Sequence, residues 1–224
     1  VLMVVSCLVT LELTGITVSF NSAPLEWWLS LPIIVVYPLL FGWVSYQTAT
    51  KLAEHKRRLQ VMSTRDGMTG VYNRRHWETM LRNEFDNCRR HNRDATLLII
   101  DIDHFKSIND TWGHDVGDEA IVALTRQLQI TLRGSDVIGR FGGDEFAVIM
   151  SGTPAESAIT AMLRVREGLN TLRLPNTPQV TLRISVGVAP LNPQMSHYRE
   201  WLKSADLALY KAKKAGRNRT EVAA

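Results

Sequence analysis

The chain opens on two long apolar runs and continues as an alternation of shorter ones. Val1 to Phe20 carries a single acid, Glu12, and Trp27 to Tyr46 is a second apolar run of similar length. Each has about the ~20 residues that a helix needs to cross a bilayer. The polar link Asn21-Ser22-Ala23-Pro24-Leu25-Glu26 is short enough for a tight turn between them. Trp27, Trp28, Trp43 and Tyr46 stand towards the ends of the second run, where amphipathic rings favour the headgroup region. Pro32 and Pro38 break soluble helices but are tolerated in membrane ones. The pattern predicts two transmembrane helices in 1–46; a buried hairpin of a soluble core is the alternative. Because the first residue is Val, the chain is expected to be a fragment with room for further spans upstream.

Residues 47–65 are charged, punctuated by Leu52, Leu59 and Met62, and read as a helical stalk. Leu52 and Leu59 lie one heptad apart, which suits a short coiled coil or a lone solvated helix. From residue 66 to 224 the periods alternate. Arg74 to His91 has helical spacing of Trp77, Leu81 and Phe85, whereas Ala95 to Ile102 is nearly continuously apolar and short, as in a strand buried on both faces. Asp118 to Arg133 is again helical. Val137 to Phe141 and Asp144 to Met150 predict two strands joined by Gly142-Gly143, a tight hairpin whose central residues need positive φ. A helix near Pro154 to Leu172, a strand near Gln179 to Ala189 and a helix over Tyr198 to Lys214 complete the pattern. This mixture of hairpin and helical crossover predicts an α+β, ferredoxin-like sheet with flanking helices.

Charge sharpens the division. No Lys or Arg precedes Lys51, so all 26 basic residues and 20 of the 22 acidic ones follow residue 50, a net +6 there (26 minus 20). Lys51, Lys56, Arg57 and Arg58 cluster just after the second run, which predicts that the remainder lies on the cytoplasmic side of a membrane. Cys7 and Cys88 fall in different regions and lack metal-ligand spacing.

Candidate chemistry sits at strand ends. Asp101 and Asp103 close the apolar strand, and Asp144 and Glu145 leave the glycine turn. If these strands are neighbours the carboxylates converge, and convergent carboxylates require cations or protons. Hard oxygen donors of this kind suit Mg²⁺ shared with phosphate; plain solvation of strand ends is the alternative. Gly142 and Gly143 leave their backbone open to a ligand, and Lys106, Lys213 and Arg217 are cations within reach of a triphosphate.

Arg140-Phe141-Gly142-Gly143-Asp144-Glu145-Phe146 resembles the signature of the GGDEF family of diguanylate cyclases. Asp66-Gly67-Met68-Thr69-Gly70-Val71-Tyr72-Asn73-Arg74-Arg75 is similar to that family's opening segment, with Met68 and Val71 where Leu is usual. Asp101 to Asp110 and Gly113 to Asp118 resemble its substrate segment, and Ser185 to Ala189 and Ala205 to Asn218 its closing segments. The match runs from about Asp66 to Arg219.

The resemblance implies roles residue by residue. Asp101, the main-chain carbonyl of Ile102, Asp144 and Glu145 are implied to hold Mg²⁺, with Mn²⁺ as a substitute. Asn109 and Asp118 are implied to recognise guanine, a role that suits their chemistry, since a carboxylate accepts from N1–H and N2–H₂ while an amide donates to O6. His114, Gly142 and Gly143 are implied to contact the nucleotide, Lys106 to stabilise the transferring phosphate, and Lys213 and Arg217 to hold the outer phosphates. Two protomers would then join two GTP into cyclic di-GMP, with Asp144 taking the proton. Arg133 and Asp136, with Arg164 on the following helix, are implied to form an inhibitory site for the product. The expected setting is a homodimer in the bacterial inner membrane, in contact with lipid and with no nucleic-acid polymer as partner; biofilm or motility control is the family's habit. The rival expectations are a GGDEF-like receptor without catalysis, an enzyme making a mixed dinucleotide, and a pure membrane anchor.

Overall fold

The structure is a computed structural model that describes residues 36–52, 64–174, 177 and 179–223. The chain divides into two units, Val1–Met62 and Ser63–Ala224. In the first, residues 36–52 are helical and exposed, so one helix runs from within the second apolar run past Tyr46 into the charged stretch. The predicted span Val1–Phe20, the start of the second and residues 53–63 of the stalk lie outside the described residues. Among the described residues no helix is long and apolar enough to cross a membrane.

The second unit is a six-stranded sheet in the order β1-β3-β4-β2-β5-β6. Its strands are β1 (Tyr72–Asn73), β2 (Ala95–Ile102), β3 (Val137–Gly142), β4 (Glu145–Ser151), β5 (Ile184–Pro190) and β6 (Thr220–Val222). The central four pair antiparallel, and the short edge strands β1 and β6 add parallel to β3 and β5. Five helices flank them: α1 (Arg74–His91), α2 (Phe105–Trp112), α3 (His114–Thr131), α4 (Ala155–Thr171) and α5 (Tyr198–Lys214).

β2 is the hub because every one of its residues is buried. Leu98, Ile100 and Ile102 face one core with Leu124 and Leu128 of α3 and Met162 and Val165 of α4. Ala95, Leu97 and Ile99 face a second core with Trp77, Leu81 and Phe85 of α1 and Trp201 and Leu209 of α5. Period-two alternation thus sends the odd-numbered residues towards α5, and Asp101 continues that face. β5 meets α5 at Gly187, where a Cβ would collide with the backbone of Ala205 and Leu209. Only glycine lets the helix settle this closely on the strand, which fixes the height of its C-terminus above Asp101.

Three elements depart from the sequence pattern. α2 was not expected; none of its residues is buried and no side chain caps its N-terminus, so it lacks both usual signals. α3 starts at His114 rather than Asp118, directly after Gly113 at φ 87°. The strand expected from Gln179 begins only at Ile184, although Val180 and Leu182 are buried. Their alternation reflects burial without a ladder.

Candidate active site

The acids are placed by strand register. Asp101 stands directly opposite Glu145 of β4 and Ser185 of β5, and the Ile102 amide donates to the Asp144 carbonyl at 3.4 Å. Burial lifts the Asp101 carboxyl above its ordinary value; the Lys213 ammonium opposes this, and Asp144 and Glu145 add to it. Lys213, in the last turn of α5, reaches Asp101 Oδ2 at 2.6 Å. The repulsion expected between convergent carboxylates is therefore relieved here by an ammonium. Asp103 behaves differently from its neighbour. Its Oδ1 accepts from the Ser185 hydroxyl at 2.6 Å and its Oδ2 from the Asn218 amide at 2.8 Å, so it turns away from the acid cluster.

Among the described residues no three His, Cys, Asp or Glu side chains stand close enough to hold a metal ion. The donor set is nevertheless one of hard oxygens beside a carboxylate that already calls for a cation, which suits a divalent ion such as Mg²⁺ in place of the Lys213 ammonium.

The hairpin corrects one expectation. Its turn is Gly143-Asp144, closed by Gly142 opposite Glu145 after an irregularity past Arg140. Neither Gly142 nor Gly143 has positive φ, and a Cβ on either meets nothing within 4 Å. No strain or packing inside the protein calls for glycine there; the open backbone serves whatever approaches from outside.

The turn is gripped by Arg140, which donates to the Gly143 carbonyl from Nε at 3.1 Å and from Nη2 at 2.8 Å. The same guanidinium pairs with Asp66 Oδ1 at 3.1 Å. Asp66 also accepts from the Thr69 amide and hydroxyl. Burial works to raise its pKa, but these bonds outweigh it and hold the carboxyl below its ordinary value.

At the α2–α3 corner the Asn109 carboxamide lies against Gly117, where an added Cβ would overlap Asn109 Oδ1. That oxygen is buried without a hydrogen-bond partner. Asp118 follows Gly117 and borders a cavity of about 480 Å³ with Asp115, Arg126 and Arg173. Lys106 and His114 are exposed on the same pair of helices and make no hydrogen bond or ion pair among the described residues.

A family model described as "Diguanylate cyclase, GGDEF domain" matches residues 63–219. The chain belongs to the GGDEF family of diguanylate cyclases. It is 99% identical over its whole length to a protein described as probable diguanylate cyclase DgcC of Escherichia coli K12, and spans 60% of that protein. It is 35% identical over 159 residues to diguanylate cyclase DosC of Escherichia coli K12, covering 70% of this chain and 34% of DosC. Among solved structures, the GGDEF domain of DgcB from Caulobacter crescentus in complex with c-di-GMP aligns with a TM-score of 0.68 at 30% identity, over 71% of this chain and 93% of that one. Diguanylate cyclase SiaD of Pseudomonas aeruginosa, solved with its activator SiaC, aligns with a TM-score of 0.68 at 32% identity, over 99% of this chain and 87% of that one. The palm-type α+β fold of the family is the fold described above.

The three residues expected to form the inhibitory site line a cavity of their own. Arg133 and Asp136, from the loop after α3, and Arg164, from α4, line one cavity of about 310 Å³. Asp136 Oδ2 accepts from the Arg133 amide at 2.9 Å, while Oδ1 is buried without a partner. Burial raises the Asp136 carboxyl despite that bond and the Arg133 charge.

Sequence reasoning placed Arg140 in a motif without a role, set Asp103 beside Asp101 as a strand-end acid without assigning it to the metal, and passed over Gly117. The signature itself held the signal for Arg140: an arginine beside a glycine turn has carbonyls within reach.

Proposed function

We propose that this chain condenses two molecules of GTP into cyclic di-GMP, releasing two pyrophosphates, and does so as a homodimer. The observation that carries the reading is the register of Asp101 against Glu145 beside an open glycine turn, with Lys213 at 2.6 Å from Asp101. Asp101, the Ile102 carbonyl, Asp144 and Glu145 are the groups that would hold Mg²⁺ or Mn²⁺. When bound, the ion neutralises phosphate charge and acidifies the attacking hydroxyl.

The chain's own residues divide the remaining work. Asn109 and Asp118 orient guanine, and the exposed amides of Gly142 and Gly143 lie along the phosphates. Lys213 exchanges its carboxylate partner for phosphate, and Arg217, Lys106 and His114 add positive charge or contact around the nucleotide. The 3′-oxygen of one GTP forms a bond to the α-phosphorus of the other as the bond to pyrophosphate breaks. A carboxylate oxygen of Asp144 takes the hydroxyl proton. A second, reciprocal transfer closes the ring, so the site is complete only when two chains face each other.

The cavity of Arg133, Asp136 and Arg164 supports product feedback. Asp136 Oδ1 lacks a donor that guanine N1–H or N2–H₂ supplies, and a guanidinium pairs with guanine O6 and N7 or with phosphate. The apolar runs Val1–Phe20 and Trp27–Tyr46, followed by basic residues, support a multi-pass anchor in the bacterial inner membrane with the second unit cytoplasmic.

Incubation with Mg²⁺ and GTP, with the product identified by mass spectrometry, tests the activity. Asp144→Asn should lower turnover by orders of magnitude while melting stays unchanged; near-normal turnover would overturn the assignment. A reporter fused after Arg58 should read cytoplasmic.

A further inference from the structure

We propose that Asp103 is a positioning residue that sets the basic arm for the triphosphate, rather than a member of the metal-binding acids. The inference rests on the reading that Lys213 and Arg217 hold the outer phosphates. After α5 the chain turns through Gly216 at φ 108°, Arg217 at φ 62° and Asn218 at φ 47°. Two successive side-chain-bearing residues in the left-handed region are unfavourable and persist only where surrounding contacts enforce them. Two contacts do so. The Arg217 amide donates to the Ala212 carbonyl at 3.0 Å, closing the helix, and the Asn218 amide donates to Asp103 Oδ2 at 2.8 Å.

Asp103 suits this task because it is itself immobile. It is 5% exposed, its own amide donates to the Arg183 carbonyl at 2.8 Å, and its other oxygen takes the Ser185 hydroxyl at 2.6 Å. Both oxygens are thus engaged by donors, which is poor preparation for a metal and good preparation for an anchor. Asp101, two residues earlier and within β2, takes Lys213. One strand end therefore fixes both ends of the arm: Asp101 meets the last turn of α5, and Asp103 meets the left-handed turn that presents Arg217, whose side chain is exposed. Once residue 217 adopts this conformation, Arg219 is in line for the next contact, its carbonyl accepting from the Val186 amide at 2.9 Å.

The test measures binding of the α,β-methylene analogue of GTP and of GMP, both with Mg²⁺, to the whole chain and its variants. Asp103→Ala should weaken the GTP analogue about tenfold and leave GMP within about twofold, since GMP lacks the outer phosphates. Asp103→Asn, which retains an acceptor for the Asn218 amide, should recover most of the loss. Arg217→Ala should show the same selectivity, and Asp103→Ala combined with Arg217→Ala should bind no more weakly than Arg217→Ala alone. Full additivity, or equal loss of GMP, overturns the proposal. If Asp103→Ala does not fold, Ser185→Ala, which frees the other Asp103 oxygen and loosens the anchor, takes its place: it should weaken the GTP analogue and spare GMP, and an unchanged affinity overturns the proposal. If Arg217→Ala leaves GTP-analogue affinity intact, the reading of the arm fails; if it behaves as expected and Asp103 variants do not, only the anchor fails.

Discussion

Replacing Asp136 by Asn should make the protein more stable and less sensitive to its product. In the free protein Asp136 Oδ2 accepts from the Arg133 amide, but Oδ1 is buried and unpartnered. A buried polar atom without a partner costs about 1–3 kcal/mol. The amide keeps an acceptor for the Arg133 N–H and removes the buried charge, leaving a smaller neutral penalty. A net gain of about 1 kcal/mol is expected at pH 7, or about 2–4 °C in Tm for a domain of this size. The pH dependence has a definite sign. Burial raises the carboxyl above its ordinary 3.8, so the folded form binds its proton more tightly than the unfolded form. Wild-type stability from this group therefore falls as pH rises from 3.8 through the folded value, and the lead of Asp136→Asn narrows as pH falls back. Product inhibition should move the other way: an amide offers one acceptor instead of two to guanine N1–H and N2–H₂. Loss of about 1–3 kcal/mol of such pairing weakens inhibition by roughly 5- to 150-fold. Melting curves from pH 4 to 8 and initial rates with added cyclic di-GMP read both effects. A variant that melts lower at pH 7, or is inhibited as strongly as the wild type, would refute the reasoning.

Gly117→Ala drives a Cβ into Asn109 Oδ1 and to 3.3 Å from Phe105 Cζ, so the carboxamide must swing away. Half-saturating GTP should rise about tenfold, the preference for GTP over ATP should narrow, and competition assays with the two nucleotides check it. Arg140→Ala removes both grips on Gly143 and the Asp66 pair; turnover should fall at least tenfold and Tm by several degrees, measured side by side. Cys88, whose thiol is pushed up to about 12 mainly by burial and then by Glu84, should resist iodoacetamide at pH 8 until the protein unfolds, as peptide mass spectrometry can show.

What could be read from the sequence was local or repeated. Asn73 caps α1 through a bond from the His76 amide, and Trp77, Leu81 and Phe85 mark its buried face, so its limits were legible to the residue. β2 was legible because its run is short and apolar but for Thr96 and Asp101. The edge strands β1 and β6 are too short to show any period. In the site, Asp101 and Glu145 were readable because each ends a strand. Asp103 bonds residues 82 and 115 positions away, and Arg140 reaches Asp66 across 74. Neither distance leaves a trace in local pattern, and both depend on a strand order that only the fold supplies. The carboxylate of Asp103 looks identical to that of Asp101 in sequence; the fold gives one two neutral donors and the other an ammonium.

The place of β2 between β4 and β5 also orders events during synthesis. Asp101 meets Glu145 once residue 151 exists, but the strand that covers the other side of β2 ends at residue 190, 39 residues later (190 minus 151). At ribosomal rates of about 5–20 residues per second, that interval lasts about 2–8 s. Throughout it, β2 offers an unpaired edge of eight residues, Ala-Thr-Leu-Leu-Ile-Ile-Asp-Ile, the kind of strand on which other chains add. β5 covers this edge before the helix and basic turn that follow it exist, so nascent molecules lose their exposed edge before they gain the phosphate arm.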